Sequence, residues 1–492
     1  MRPIRSLAFH GFLLTALALL GACGSEQGDT VDVVAIGDPA SLFDGGVRLS
    51  SAAQLLRGAT AQGLVALDQQ GQVIPGLADR WIVNDDGLSY IFRLSDSGWT
   101  SGGKLSAATA RASMLQALAA LRGTALGKDL SSIEEIRVMT GRVIEIRLSR
   151  PQPDLLMLLA QPELGLLNRG KGAGPMALRR DGNVAYLALI DPQLRGMPAS
   201  VDWQEQVRPV RLRALAAEGA IARFECGETD AVLGGRYENF PLADSGGLSR
   251  GAIRLDPVSG LFGLAAMHRD GFLADPQNRE AIAMAIDREA LPAALGIGGW
   301  LMTDRILPAG IGDNQQTVPQ TWTTLSLDER RAVATSRVTR WRGADADPVR
   351  LRIAMPAGPG TDRLFARLAE DLGKAGLTAT RVGLADAADL RLVDAVARYS
   401  GTLWYFYQLS CGVLPGPCDP EADSLVAKAL QSADPAERDR LFAQAEDKLT
   451  ASNVYIPLGA PIRWSLLRGN ATGFLVNRFA VHPLMPMAIL PK

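Results

Sequence analysis

The sequence predicts an α/β protein of at least two lobes, on three observations. The chain has 492 residues, well beyond the ~250 to 300 at which one hydrophobic core stops growing. Two segments read as strand-helix-strand units, Val210 to Val232 and Leu351 to Val382, and such alternation builds α/β layers. Between the first strand and the first of these units lies a hairpin pattern, Val73 to Leu94.

Residues 1–22 fall outside the fold. Arg2 and Arg5 supply a positive start, Leu7 to Leu20 is mostly apolar, and Leu20-Gly21-Ala22-Cys23 closes the run with small residues before a cysteine. That order reads as a secretory signal ending in a lipobox. The alternative, a membrane-spanning anchor, needs about 20 apolar residues. Cleavage leaves Cys23 as a lipidated first residue, with 23–30 as a polar tether. Gly24 after the cysteine leaves the choice of inner or outer membrane open.

Val31 to Ile36 is an apolar strand, and Ala52 to Leu67 is read as a helix with Leu55, Leu56 and Leu64 inward. In the hairpin, Asn84-Asp85-Asp86-Gly87 is the turn, Trp81 and Val83 precede it, and Leu88, Tyr90, Phe92 and Leu94 share one buried face. Arg142 to Leu148 alternates as a half-exposed strand, and Pro151-Gln152-Pro153-Asp154 breaks it before an apolar helix, Leu155 to Ala160. Gly172 and Gly174 mark tight backbone. The Val210 strand, the alanine-rich helix that follows and Gly227 to Val232 form the first β-α-β unit. Leu261 to Met267 is a further strand, beside the crossover between lobes. Asp275-Pro276 opens a helix with a carboxylate cap and Pro at N1. Asp287 and Arg288 end it as a brace against a neighbour. Leu351 to Met355, Asp362 to Leu372 and Leu377 to Val382 form the second unit, with Gly373 and Gly376 stopping its helix. Asp434-Pro435-Ala436-Glu437 carries a capping box for the helix reaching Leu449.

The order Pro75-x-Leu77-Ala78-x-x-Trp81, then Asp86-Gly87-Leu88-x-Tyr90-x-Phe92-x-Leu94, resembles the segment shared by solute-binding proteins of the peptide/nickel class of ABC importers (family 5, dipeptide- and oligopeptide-binding-protein-like). The helix carrying Arg279, Ala281, Ala285, Ile286, Asp287 and Arg288 matches as well, as do Gly227-Glu228-x-Asp230 and the closing Gly473-Phe474 strand. The likeness covers nearly the whole chain from Val31 onward. Two departures mark a divergent member: Gly102-Gly103 stands where the family has Asp-Gly, which implies a looser turn, and Thr109 where the next helix usually carries Asp.

The resemblance implies a two-lobed periplasmic binding protein, type II and class C-like, with a hairpin-rich subdomain inserted in one lobe. On this division 31–60, 171–260 and 470–492 form lobe I, 61–170 the inserted subdomain, and 261–469 lobe II. It implies a lipid-anchored receptor on the periplasmic side of the envelope, capturing a peptide or peptide-like solute for an ABC permease and ATPase. A binding fold serving envelope sensing or interaction without transport, or binding a non-peptide solute, is the alternative.

Chemistry on the solute finds little support. Of three histidines, His10 leaves with the signal, so a His-based triad or metal site has too few members. No cofactor or metal is expected, and a monomer is. With 51 basic and 52 acidic residues, the chain carries no charge bias toward nucleic acid. Cys411 and Cys418 bracket Gly-Val-Leu-Pro-Gly-Pro, and an oxidising compartment permits a local disulfide there; two reduced thiols are the alternative. Cys226 is left as a lone buried thiol.

Candidate ligand contacts are the aromatics Trp404, Tyr405 and Tyr407, with Met267 and His268 near the crossover strand. Two arrangements of the run Trp404 to Tyr407 remain: a cleft role, or a strand with Trp404 and Phe406 inward and both tyrosines outward. His268 reads equally as part of a surface turn. In peptide binders of the family an Asp holding the peptide's amino terminus follows a Gly-Trp segment near here; this chain has none at that spacing. The family's Asn on the strand near Met267 is missing too. Asp394 is read as a structural residue of the preceding strand.

Overall fold

The structure is a computed structural model describing residues 30–243, 251–308, 311, 318–344, 347–469 and 471–491. The signal segment, Cys23 and the tether up to Asp29 lie outside these residues.

Three sheets organise the chain. The first has seven strands, in the order Met176–Asp181, Val184–Leu189, Val210–Leu215, Val31–Ile36, Ala231–Arg236, Arg463–Leu467 and Ile253–Leu255. Val31–Ile36 sits in the middle because it is apolar on both faces, and it pairs in parallel with the strands on either side. Its one carboxylate, Asp32, is held by Arg211 and Arg213 from the neighbouring strand. The second sheet has five strands, in the order Leu377–Val382, Val349–Ala354, Leu390–Val396, Gly260–Ala266 and Tyr455–Gly459. Both β-α-β readings hold: the helices Ala217–Glu225 and Pro359–Lys374 connect their strand pairs. The chain crosses between these sheets twice, at 256–259 and 460–462, and each crossing carries a proline, Pro257 and Pro461.

The third sheet, four strands in the order Ala78–Val83, Ser89–Leu94, Val143–Leu148 and Ile133–Thr140, holds the hairpin. Val83 faces Tyr90 across the turn, the Asn84 amide donates to the Ser89 carbonyl at 3.0 Å, and Gly87 takes φ 67°. Tyr90, Phe92 and Leu94 are buried on one face with Ile144, Ile146 and Leu148.

Several local expectations change. The helix after the first strand is Ser51–Thr60 only, capped by Ser50, and Val65–Leu67 is a strand. Apolar spacing alone could not show the break, which comes from close packing at Gly63: a Cβ there would lie 2.6 Å from the Leu159 carbonyl oxygen. The turn at Gly102-Gly103 is hydrogen-bonded and not loose, with the Trp99 amide on the Gly103 carbonyl at 3.0 Å. Thr109 closes a full capping box with Ser106, so the helix Ala107–Ala120 starts well without an Asp. Asp434 does cap its helix, but Glu437 pairs with Arg440 and does not complete the box. Gly473-Phe474 is not a strand; Gly473 instead packs against the Pro486 carbonyl. Cys226 is exposed, because it falls at the C-cap of its helix, past the inward-facing Phe224. Cys411 and Cys418 form a disulfide. Asp287 and Arg288 do brace: Arg367 pairs with Asp287, and buried Arg288 donates to the Pro457 and Ala283 carbonyls.

Candidate functional site

A cavity of about 660 Å³ opens where the three sheets' bodies meet, within the range usual for small-ligand sites. The seven-stranded sheet supplies Gly234 to Arg236 and Arg463 to Ser465; the five-stranded sheet supplies Asp394 to Val396. One face of the helix Ser51–Thr60, the inserted subdomain at Ala160 to Glu163, and the C-terminal segment Phe479 to Pro486 complete the walls. From the hairpin region only Ile74 reaches the cavity.

At the floor, Asp394 receives two guanidinium groups from the opposite lobe. Arg463 Nη1 lies 2.8 Å from Oδ1 and Arg236 Nε 3.0 Å from Oδ2, and both side chains also donate to the Asp394 carbonyl. Burial lowers the Arg463 pKa, with partial compensation from Asp394. Burial likewise opposes the charge on Arg236, where the nearby carboxylates outweigh it and the pKa ends above its ordinary value. Sequence reasoning left Asp394 as a strand residue and missed this junction; its partners stand 158 and 69 positions away.

The residues following Asp394 tie the second lobe to the inserted subdomain. Arg398 donates to Gln161 and Glu163, each at 2.8 Å. The Tyr399 hydroxyl donates to buried Asp129 at 2.5 Å. Burial pushes Asp129 up to about 7, against the opposing effect of the Tyr399 bond. Arg150 donates to the Tyr407 hydroxyl at 2.9 Å.

The run Trp404 to Tyr407 is a helix, Thr402–Gln408, which corrects the strand arrangement. All four aromatics are buried, so no alternation of faces exists. β-propensity favoured a strand; tertiary burial on every side overrides it. Helical spacing places Trp404 and Gln408 on the cavity wall, one turn apart. Tyr405 stacks edge-on against Trp404 at 4.9 Å and does not line the cavity, and Tyr407 faces Arg150 and Lys128. Met267 and His268 are not on the cavity wall either. His268 Nε2 lies 2.8 Å from Asp389, beside a separate groove that includes Trp341.

The two sheets, the double crossover and the inserted third sheet give the chain the fold of the two-lobed periplasmic binding proteins. The Haemophilus influenzae OppA structure in complex with RPPGFSPFR superimposes with a TM-score of 0.80 at 15% identity, covering 95% of this chain and 100% of that one. The Escherichia coli murein tripeptide binding protein MppA gives 0.78 at 17% identity, covering 94% of this chain and 99% of that one. An unliganded open form of MppA gives 0.64 at 18% identity, covering 95% and 98%. No protein-family model matches the chain. In sequence, Di/tripeptide-binding protein 4 of Pseudomonas aeruginosa (strain UCBPP-PA14) is 26% identical over 85% of this chain and 87% of its own length. The glutathione-binding protein GsiB of Escherichia coli (strain K12) is 24% identical over 94% of each. In sequence the chain is thus similar to peptide- and glutathione-binding proteins, and in fold to solute-binding proteins of this kind.

Proposed function

We propose that this chain is the envelope receptor of an ABC importer, capturing a peptide or peptide-like solute in the cavity between its lobes. The observation that carries this is the cavity itself, walled by both lobes and the inserted subdomain. Two proline-bearing crossovers beside it supply a hinge of the kind that closes lobes over a solute. The lower likeness to an unliganded open form than to the other MppA structure supports a closed arrangement here. The names of the relatives, binders of di- and tripeptides and of glutathione, support the solute class.

In this reading 31–60, 171–260 and 470–492 make lobe I; the strand Arg463–Leu467, counted with lobe II from sequence, pairs with Ala231–Arg236 and Ile253–Leu255 in the seven-stranded sheet and joins lobe I instead. Residues 61–170 are the inserted subdomain, and the chain from 261 to the second crossover makes lobe II. Trp404 offers an aromatic wall to the solute. Lipidated Cys23 holds the receptor at the periplasmic face of a membrane, where permease and ATPase subunits take the cargo.

Calorimetry and thermal shift against di-, tri- and oligopeptides, metal chelates and oligosaccharides test the reading. Saturable binding of short peptides is expected, and silence across all of them sinks it. For the anchor, Cys23→Ser is expected to move the protein from the membrane fraction to the soluble one.

A further inference from the structure

Where the inserted subdomain meets lobe II, a carboxyl group is closed in without a counter-ion. Asp129 ends the helix Ala125–Asp129 of the subdomain, and its side chain is fully buried. From lobe II, the Tyr399 hydroxyl donates to Oδ1 at 2.5 Å, and the helix Thr402–Gln408 packs against the helix that carries Asp129. Burial and the neighbouring Asp129 hold the Tyr399 phenol far above its ordinary range, so it stays the donor. Oδ2 has no hydrogen-bond partner. The cations nearby are engaged elsewhere: Arg398 on Gln161 and Glu163, Arg150 on the Tyr407 hydroxyl, and Lys128 over the Tyr407 ring at 5.4 Å. Asp154, just before the helix Leu155–Leu159, acts on Asp129 as a like charge.

A carboxylate that loses its water and gains one neutral hydrogen bond is less costly to bury protonated than charged. Opening of the lobes takes Tyr399 and the helix Thr402–Gln408 away from Asp129 and admits water, and closing them expels it. We propose that closure of the receptor over its solute takes up one proton from solvent on Asp129 Oδ2, so that capture is favoured in acidic surroundings and release as the pH rises. This rests on the receptor reading above and adds the regulation of its site. Asp129 is not on the cavity wall, so the coupling acts through closure and needs no contact with the solute. The raised pKa of Asp129, about 7 in the buried arrangement, agrees with that placement. Once open to water the group returns toward its ordinary ~3.9, so the closed form holds the additional proton between those values. Affinity therefore falls as pH rises through that window and levels off above it.

Calorimetry of the whole protein with dialanine, trialanine and tetra-alanine, run in two buffers of different ionisation enthalpy, counts the protons taken up on binding. The range is pH 5 to 7, above the carboxylate and below the ammonium titration of these peptides. The parent is expected to take up close to one proton per solute at pH 6 and to bind about fortyfold tighter at pH 5 than at pH 7. Asp129→Asn is neutral at every pH and still accepts the Tyr399 hydroxyl. It is expected to take up no proton and to hold its affinity within about threefold across the range. Tyr399→Phe leaves Asp129 in place but removes a bond that lowers its pKa, so uptake at pH 7 is expected to rise from about half a proton toward one. A residue serving structure alone would shift affinity by the same factor at each pH and leave the proton count unchanged. Binding by the parent without proton uptake, or an Asp129→Asn profile parallel to that of the parent, overturns the coupling and leaves the receptor reading standing. Silence of all three peptides at pH 5, where closure is most favoured, overturns the short-peptide reading itself, and the coupling falls with it.

Discussion

Removing the Asp394 carboxylate leaves two guanidinium groups facing each other at the cavity floor. Their side chains are 14% (Arg463) and 36% (Arg236) exposed, and the Asp394 side chain is 8% exposed. Breaking a buried ion pair from one side costs about 3–5 kcal/mol; with Arg236 partly in water, the low end applies, about 3 kcal/mol. For a lobe of this size each kcal/mol moves the midpoint by about 2–4 °C, so Asp394→Ala is expected to melt about 6–12 °C lower. The assay is a thermal melt followed by circular dichroism, repeated in 0.5 M salt, where a buried pair is screened far less than a surface one. A second variant separates charge from packing. Asp394→Leu combined with Arg463→Met removes the more buried of the two stranded charges, leaves only the partly exposed Arg236, and is expected to recover part of the loss. An Asp394→Ala midpoint within about 2 °C of the parent, or a double variant no better than the single one, refutes the claim that this junction braces the lobes.

Asp129 gives a pH test. Its folded pKa of about 7 lies above that of an unfolded Asp, so its contribution to stability is fully present below about pH 4 and lost as pH rises through 7. Asp129→Asn still accepts the Tyr399 hydroxyl, and its urea stability is expected to rise relative to the parent between pH 4.5 and 8, by up to about 4 kcal/mol; a parallel pair of profiles contradicts this. Replacing Cys411 and Cys418 together by Ser removes a short covalent loop and is expected to cost about 2 kcal/mol in urea unfolding, with reductant then having no further effect. At Gly174 an added Cβ would stand 2.3 Å from the Thr60 carbonyl carbon, so Gly174→Ala is expected to destabilise by about 1–3 kcal/mol, seen as a lower urea midpoint.

The parts legible from sequence are those whose cause is local. The hairpin announces itself through a polar turn with Gly87 and a period of two in Tyr90, Phe92 and Leu94. The helices after Asp275 and Asp434 announce themselves through a cap and a proline. The run Trp404 to Tyr407 carries no such period, because burial on every side removes the contrast between faces on which such readings depend. Its seven-residue helix is fixed by what surrounds it: Arg150 and Lys128 on Tyr407, and the cavity at Trp404 and Gln408.

The ionic pattern of the cavity is the least legible part, for a different reason. A carboxylate in a sequence looks the same whether it is spent or free, and only the pairing of distant strands decides which. Asp394 sits on a strand and resembles an anchor in chemistry, yet two arginines from the other lobe consume both of its oxygens. Asp68 sits in an unremarked turn, and its two local amides leave one oxygen open to the cavity wall. Which carboxylate the folded wall leaves unspent is decided by pairing across the fold, and position in the sequence does not enter.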